Sequence, residues 1–235
     1  MSTLKSLGTA QTRKIYGNHG LKGDIFGVSW ANLGKLKKQL KTDHDLAMKL
    51  WKSGNFDARI LATMIMDPAQ LASSEIDAMI KDLDNYAITD AFTGVVKQTP
   101  FIMKKMEKWT KHKSEWLSSA GWNLMTNLAM ENPDLDDAFF ESQLERIESS
   151  IHASPNRTKY SMNNTVISIG CRNKKLEKKA IAAAKRIGLV EVDHGKTGCK
   201  TPDAESYIKK TMAYRAAKAK KKKTTKKKVA TKVKV

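Results

Sequence analysis

Tyr86 and Asp90 stand four positions apart in the segment Asp84-Asn85-Tyr86-Ala87-Ile88-Thr89-Asp90. On a helix that spacing is one turn, so ring and carboxylate leave the same face. The chain carries a net charge of +19, and an acid is out of place on a face that meets a polyanion. A carboxylate held still can stabilise positive charge as it grows in a transition state and can orient an attacking water. The ring one turn away can pack against a flat part of the ligand. The plain alternative is a polar residue on a solvated helical face beside a half-buried packing tyrosine.

Other candidates for chemistry are weaker. His19, His44, His112, His152 and His194 are scattered without metal-ligand spacing, so neither a metal nor a small-molecule cofactor is expected. The run Asp193-His194-Gly195-Lys196-Thr197-Gly198-Cys199-Lys200 reads as a turn that fixes the last helix, because a nucleophilic cysteine needs an activating base placed beside it. Its Gly-Lys-Thr lacks the preceding glycine pattern and strand of a phosphate loop. Cys171 and Cys199 have no Cys-x-x-Cys spacing, which fits free thiols in a reducing compartment.

The charge points to the partner. From Arg215 onward there are one Arg and ten Lys with no acid, which leaves the first 214 residues at +8. A basic body with a more basic end fits a polyanion, and nucleic acid is the usual one. Residues 215–235 have no apolar stripe and repel themselves, so a disordered Lys-rich tail is expected, with Lys221 and Lys222 among its phosphate contacts. No run approaches the roughly 18 to 20 apolar residues of a membrane span, and no secretory signal opens the chain. A cytoplasmic monomer, nucleoid-associated if bacterial, is the expectation.

The elements that must position the Tyr86–Asp90 pair are all helical. Strand signals are nearly absent, and apolar residues recur at three- and four-residue steps through most of the first 215 positions. A first helix is predicted over about residues 3–16, then a glycine-bearing loop. Ser29, Asp43, Asn55 and Asn85 read as caps. Asp67-Pro68, Gln98-Thr99-Pro100 and Asn132-Pro133 read as stops. Further helices are predicted near 101–111, 114–130, 134–151, 158–171 and 174–187, and a final one after Thr201-Pro202-Asp203 fades into the tail. Helix pairs recurring every roughly 30 to 45 residues predict an all-α helical-repeat solenoid over residues 1–214.

Particular residues then suggest a family. Phe26-Gly27-Val28-Ser29 leading into a helix, Leu50-Trp51-Lys52-Ser53-Gly54-Asn55 followed by Arg59-Ile60-Leu61-Ala62, and the Asp84-Asn85-Tyr86 to Asp90 turn resemble the DNA alkylation repair family. These are HEAT-like repeat alkylpurine DNA glycosylases of the AlkD type, and the likeness runs over roughly residues 1–190, as a diverged branch. The resemblance implies a curved stack of helix pairs that grips duplex DNA and releases N3- or N7-alkylated purines. It also implies an aromatic residue four positions before an essential aspartate, the pattern that Tyr86 and Asp90 occupy, with Tyr in place of the more usual Trp. Ser119 stands where the family's arginine would fall, and Tyr160 to Arg172 contains no counterpart of the family's second Trp.

An N3- or N7-alkylated purine is cationic and leaves readily, so the barrier is the oxocarbenium-like sugar, which a carboxylate can stabilise. Asp90 is the candidate for that role and Tyr86 for holding the lesion. Trp109 and Trp116 read as core. Trp122 is assigned to the DNA surface with Ser119, because Ser118, Ser119 and Asn123 look polar around it. Asn163 and Asn164, adjacent amides in a helix, are assigned to backbone phosphates with Arg157 and Lys159; Lys35 and Lys38 are further phosphate candidates. The sequence therefore carries an enzymatic reading, alkylpurine DNA glycosylase, beside two others: a noncatalytic DNA-binding helical-repeat protein for distorted or branched DNA, and a protein-binding scaffold.

Overall fold

The computed structural model describes the backbone of residues 1–232 and the side chains of residues 1–219. Thirteen helices follow in chain order among the described residues: α1 Ser2–Leu7, α2 Ala10–Asn18, α3 Trp30–Leu40, α4 His44–Lys52, α5 Phe56–Ile65, α6 Ser73–Met79, α7 Tyr86–Val96, α8 Ile102–Trp109, α9 Glu115–Glu131, α10 Asp137–Ser150, α11 Asn156–Gly170, α12 Lys174–Ile187 and α13 Ala204–Lys232. Short 3-10 turns at Pro68–Gln70, Ile80–Asp82 and Ile151–Ala153 complete them.

The predicted caps hold these helices. Ser29, Asp43, Asn55 and Asn85 each accept a backbone N–H three residues on, from Asn32, Leu46, Ala58 and Ile88, satisfying donors that a helix start leaves open. The first element departs from the sequence prediction. One helix over residues 3–16 is instead two, because Gly8 breaks the run and pairs with Val28 in an isolated bridge. A Cβ on Gly8 would stand 2.1 Å from the Phe26 carbonyl oxygen, so glycine alone fits there, and Thr9 restarts the helix by capping α2.

Helices α3, α5, α7, α9 and α11 form one row, each packed on the next, and α13 continues it against α11. Outside the row, α4 backs α5, α8 backs α9, and α12 backs α11 while meeting α10. Trp51, Phe92 and Trp109 lie between these layers with ring centroids 5.3 and 6.4 Å apart in succession. Close approach is built in at Gly121, where a Cβ would meet the Thr110 nitrogen at 2.4 Å. The result is the all-α stack of helix pairs that the spacing implies, HEAT-like as the resemblance implies.

Asp57, fully buried near the start of α5, accepts the N–H groups of Phe26 and Gly27 on one oxygen and of Val28 on the other, at 2.7, 3.1 and 2.7 Å. Tyr16 adds a 2.7 Å hydrogen bond to the Val28 carbonyl, and burial, with Asp57 nearby, pushes its phenol up to about 12. This loop therefore fixes the entry into α3. The other stretch of resemblance is likewise structural: Arg59 lies 5.4 Å from the Trp51 ring centroid and donates to the carbonyls of Trp51 and Asp82.

The last helix reaches Lys232, into the segment expected to be disordered. Ala213 to Ala219 are exposed, and the last described hydrogen bond to the body is from Arg215 to the Cys171 carbonyl. The side chains of Lys221 and Lys222 lie outside the described residues. Among the described residues no helix is long and apolar enough to cross a membrane.

Candidate nucleic-acid interface

The Asn85 cap starts α7 so that Tyr86, Asp90 and Gly94 fall on one face, and that face forms a wall of a cleft of about 900 Å³ between α2, α3, α5 and α7. Asp90 sits in this cleft and accepts a 2.7 Å hydrogen bond from the Asn123 side-chain amide of α9. Among the described residues no Lys or Arg nitrogen comes within ion-pair distance of it. Solvent reaches the carboxylate, yet the hollow surface crowds it with protein. That desolvation holds its pKa above the ordinary aspartate value, against the opposing pull of the Arg157 charge and the Asn123 amide.

A raised folded-state pKa means that ionised Asp90 costs stability, a cost absent below the unfolded-state pKa and present once the pH has risen through the folded-state one. Asp90→Asn is therefore expected to raise the melting temperature at neutral pH, on the order of 1–2 °C given the solvent access. The gain should vanish in acid, where both states are protonated. Thermal melts of both proteins from pH 3 to 7 check this; a gain that does not change with pH would refute the assigned cause.

Tyr86 faces the beginning of α11. The Arg157 guanidinium carbon lies 4.4 Å from the Tyr86 ring centroid and 4.5 Å from that of Tyr160, so the cation is held between two aromatic faces. No carboxylate among the described residues is in ion-pair range of that guanidinium. Its backbone is fixed where Glu115 accepts the Arg157 N–H at 2.7 Å. The loop between α12 and α13 packs alongside: His194 meets Tyr160 edge-on at 5.5 Å, and the Lys196 N–H donates to the Asn18 carbonyl at 2.9 Å. Gly195 takes φ +70° there, and a Cβ on it would stand 2.6 Å from the Asn18 oxygen. Among the described residues no group of three or more His, Cys, Asp and Glu is placed to hold a metal.

The structure thus brings Tyr86, Asp90 and Arg157 together and adds Asn123 and Tyr160, which the sequence reading did not assign. Tyr160 carried one local signal, its position three residues after Arg157. Three assigned residues are buried instead of facing DNA. Ser119 lies in the seam between α9 and α11, 2.7 Å from the Ser161 hydroxyl, where small polar residues let the helices approach. Trp122, 1% exposed, packs in the core with the Arg146 guanidinium over its ring. Asn163 donates to the Pro202 carbonyl at 2.9 Å and so anchors the start of α13. Asn164 and Lys159 remain partly exposed on α11, and Lys35 and Lys38 are exposed on α3, where Lys37 is the lysine that lines the cleft.

Comparison with known proteins agrees with this architecture. A solved structure described as a new family of proteins related to the HEAT-like repeat DNA glycosylases, with affinity for branched DNA structures, superposes with a TM-score of 0.82 at 29% identity. The match covers 91% of this chain and 92% of that one. Uncharacterized proteins of Listeria innocua and Listeria monocytogenes are each 30% identical over 213 residues, 88% of this chain and 93% of theirs. Residues 1–208 match the profile of the DNA alkylation repair enzyme family. With the helix-pair stack and the Tyr86–Asp90 turn in place, the chain belongs to the DNA alkylation repair family.

Proposed function

We propose that this protein binds DNA of distorted or branched geometry by shape and phosphate contacts and does not depend on base release. The observation that carries this reading is the Arg157 cation between Tyr86 and Tyr160. In base release those aromatic faces would stack on a cationic alkylpurine; here the protein's own guanidinium occupies them and repels a second cation. Held by its stem and rings and, among the described residues, without a carboxylate partner, the guanidinium keeps N–H donors for a phosphate. The affinity for branched DNA of the related protein of known structure points the same way. The +19 charge supplies the nonspecific part.

A second reading, alkylpurine glycosylase, is favoured by Asp90, a carboxylate open to the cleft with a raised pKa and, among the described residues, no cation in ion-pair range. Two measurements separate them. Titration of a four-way junction and of a linear duplex of equal length should give tighter binding to the junction, weakening steeply as salt rises. Incubation with DNA carrying 7-methylguanine or 3-methyladenine should release no more base with the native protein than with Asp90→Asn. Base release that Asp90→Asn abolishes would overturn the proposal and install the second reading.

A further inference from the structure

Resting on the branched-DNA reading, we infer that the cleft between α2, α3, α5 and α7 takes one unpaired nucleobase from the branch point, stacked on Trp30. Trp30 opens α3 just after the Ser29 cap and is 49% exposed, whereas Trp51, Trp109 and Trp122 are 2% exposed or less. About half of that indole is open to solvent where it lines the cleft, so a flat ring entering the cleft can stack on it. Beside it the cleft is lined by Ile15, Met64 and Ala91, apolar walls that suit a flat ring.

Size and charge select the occupant. A cleft of about 900 Å³ has the volume of a small-ligand site and cannot admit a double helix. Asp90 inside it repels a phosphate, so the base and not the backbone enters, with the carboxylate placed to accept from the base's N–H edge. Lys37 lies two helical turns beyond Trp30 on the same face of α3, lines the cleft and stays exposed. It is placed to meet the phosphate that remains outside. In a perfect duplex every base is paired and stacked, whereas the pairs at a branch point lack a stacking neighbour and open at lower cost, which makes this cleft the source of the preference for branched over linear DNA.

The test uses the full chain with a three-way junction and a linear duplex of equal length. Trp30→Ala should weaken junction binding about tenfold, the range expected for one base–aromatic stack, and leave linear duplex affinity unchanged. Trp30→Phe should recover most of the loss. An abasic residue at the branch point should weaken native binding and remove the difference between native protein and Trp30→Ala. In the native protein, junction but not linear duplex should protect tryptophan fluorescence from acrylamide. If Trp30→Ala keeps the native preference for the junction, or an abasic branch point binds as tightly as an intact one, the inference is overturned while the proposed function stands. If the native protein shows no preference for branched DNA, both are overturned.

Discussion

Asp57→Ala is expected to destabilise the protein by about 3–5 kcal/mol, the scale for stripping charge-assisted partners from buried groups. The carboxylate holds the Phe26, Gly27 and Val28 N–H groups in a site with no exposure. Alanine would leave these donors without their acceptor, two of them in buried residues. Gly27, at φ +80°, would also lose the anchor for a turn whose Cβ-free backbone lies against Thr9 and Arg13. Asp57→Asn should recover only part, because one of its two polar atoms becomes a donor facing donors. Urea unfolding checks this: the midpoint should fall with little change in slope, and a midpoint within error of the native one would refute the assigned role. Because the same loop delivers Ser29 and Trp30 to α3, junction preference should fall in whatever fraction of Asp57→Ala stays folded.

The helix stack was legible because its signals are local. Ser29, Asp43, Asn55 and Asn85 cap where their side chains can reach an N–H three residues ahead, and the pattern needs nothing from the rest of the chain. The Tyr86–Asp90 turn was legible for the same reason. The misplaced residues are those whose environment comes from another helix. In α9 both flanks are buried, one by α8 and one by α11, so Ser119 and Trp122 sit inside although their neighbours are polar. Serine and threonine hydroxyls bridge that seam, Ser119 to Ser161 and Thr126 to Thr165, and from sequence a bridging hydroxyl looks the same as a solvated one. Asn163 is buried by a carbonyl 39 positions later. The break at Gly8 depends on a carbonyl that folds back from Phe26, and no window of the first 16 residues contains it.

The pairing of Arg157 with Tyr86 is the longest-range of these, and it carries the second large expected effect. Arg157→Ala should weaken binding to linear and branched DNA alike by about ten- to a hundredfold at low salt, the scale of one well-held charged contact. The slope of log affinity against log salt should fall by about one, since one phosphate partner is lost. Trp30→Ala, by contrast, changes the ratio between the two DNAs and leaves the slope alone. Arg157→Lys should not restore binding, because an ammonium cannot lie flat between two rings and present a planar fork. Tyr86→Phe keeps the ring face under the guanidinium and should bind nearly as well as the native protein, while Tyr86→Leu should lose part of the affinity by freeing the guanidinium to move. If Arg157→Ala binds both DNAs with native affinity and native salt slope, the cation between the tyrosines is a packing device. The aromatic faces would then be open to argument as a lesion site, and the case for a binder over a glycosylase would lose the geometry on which it rests.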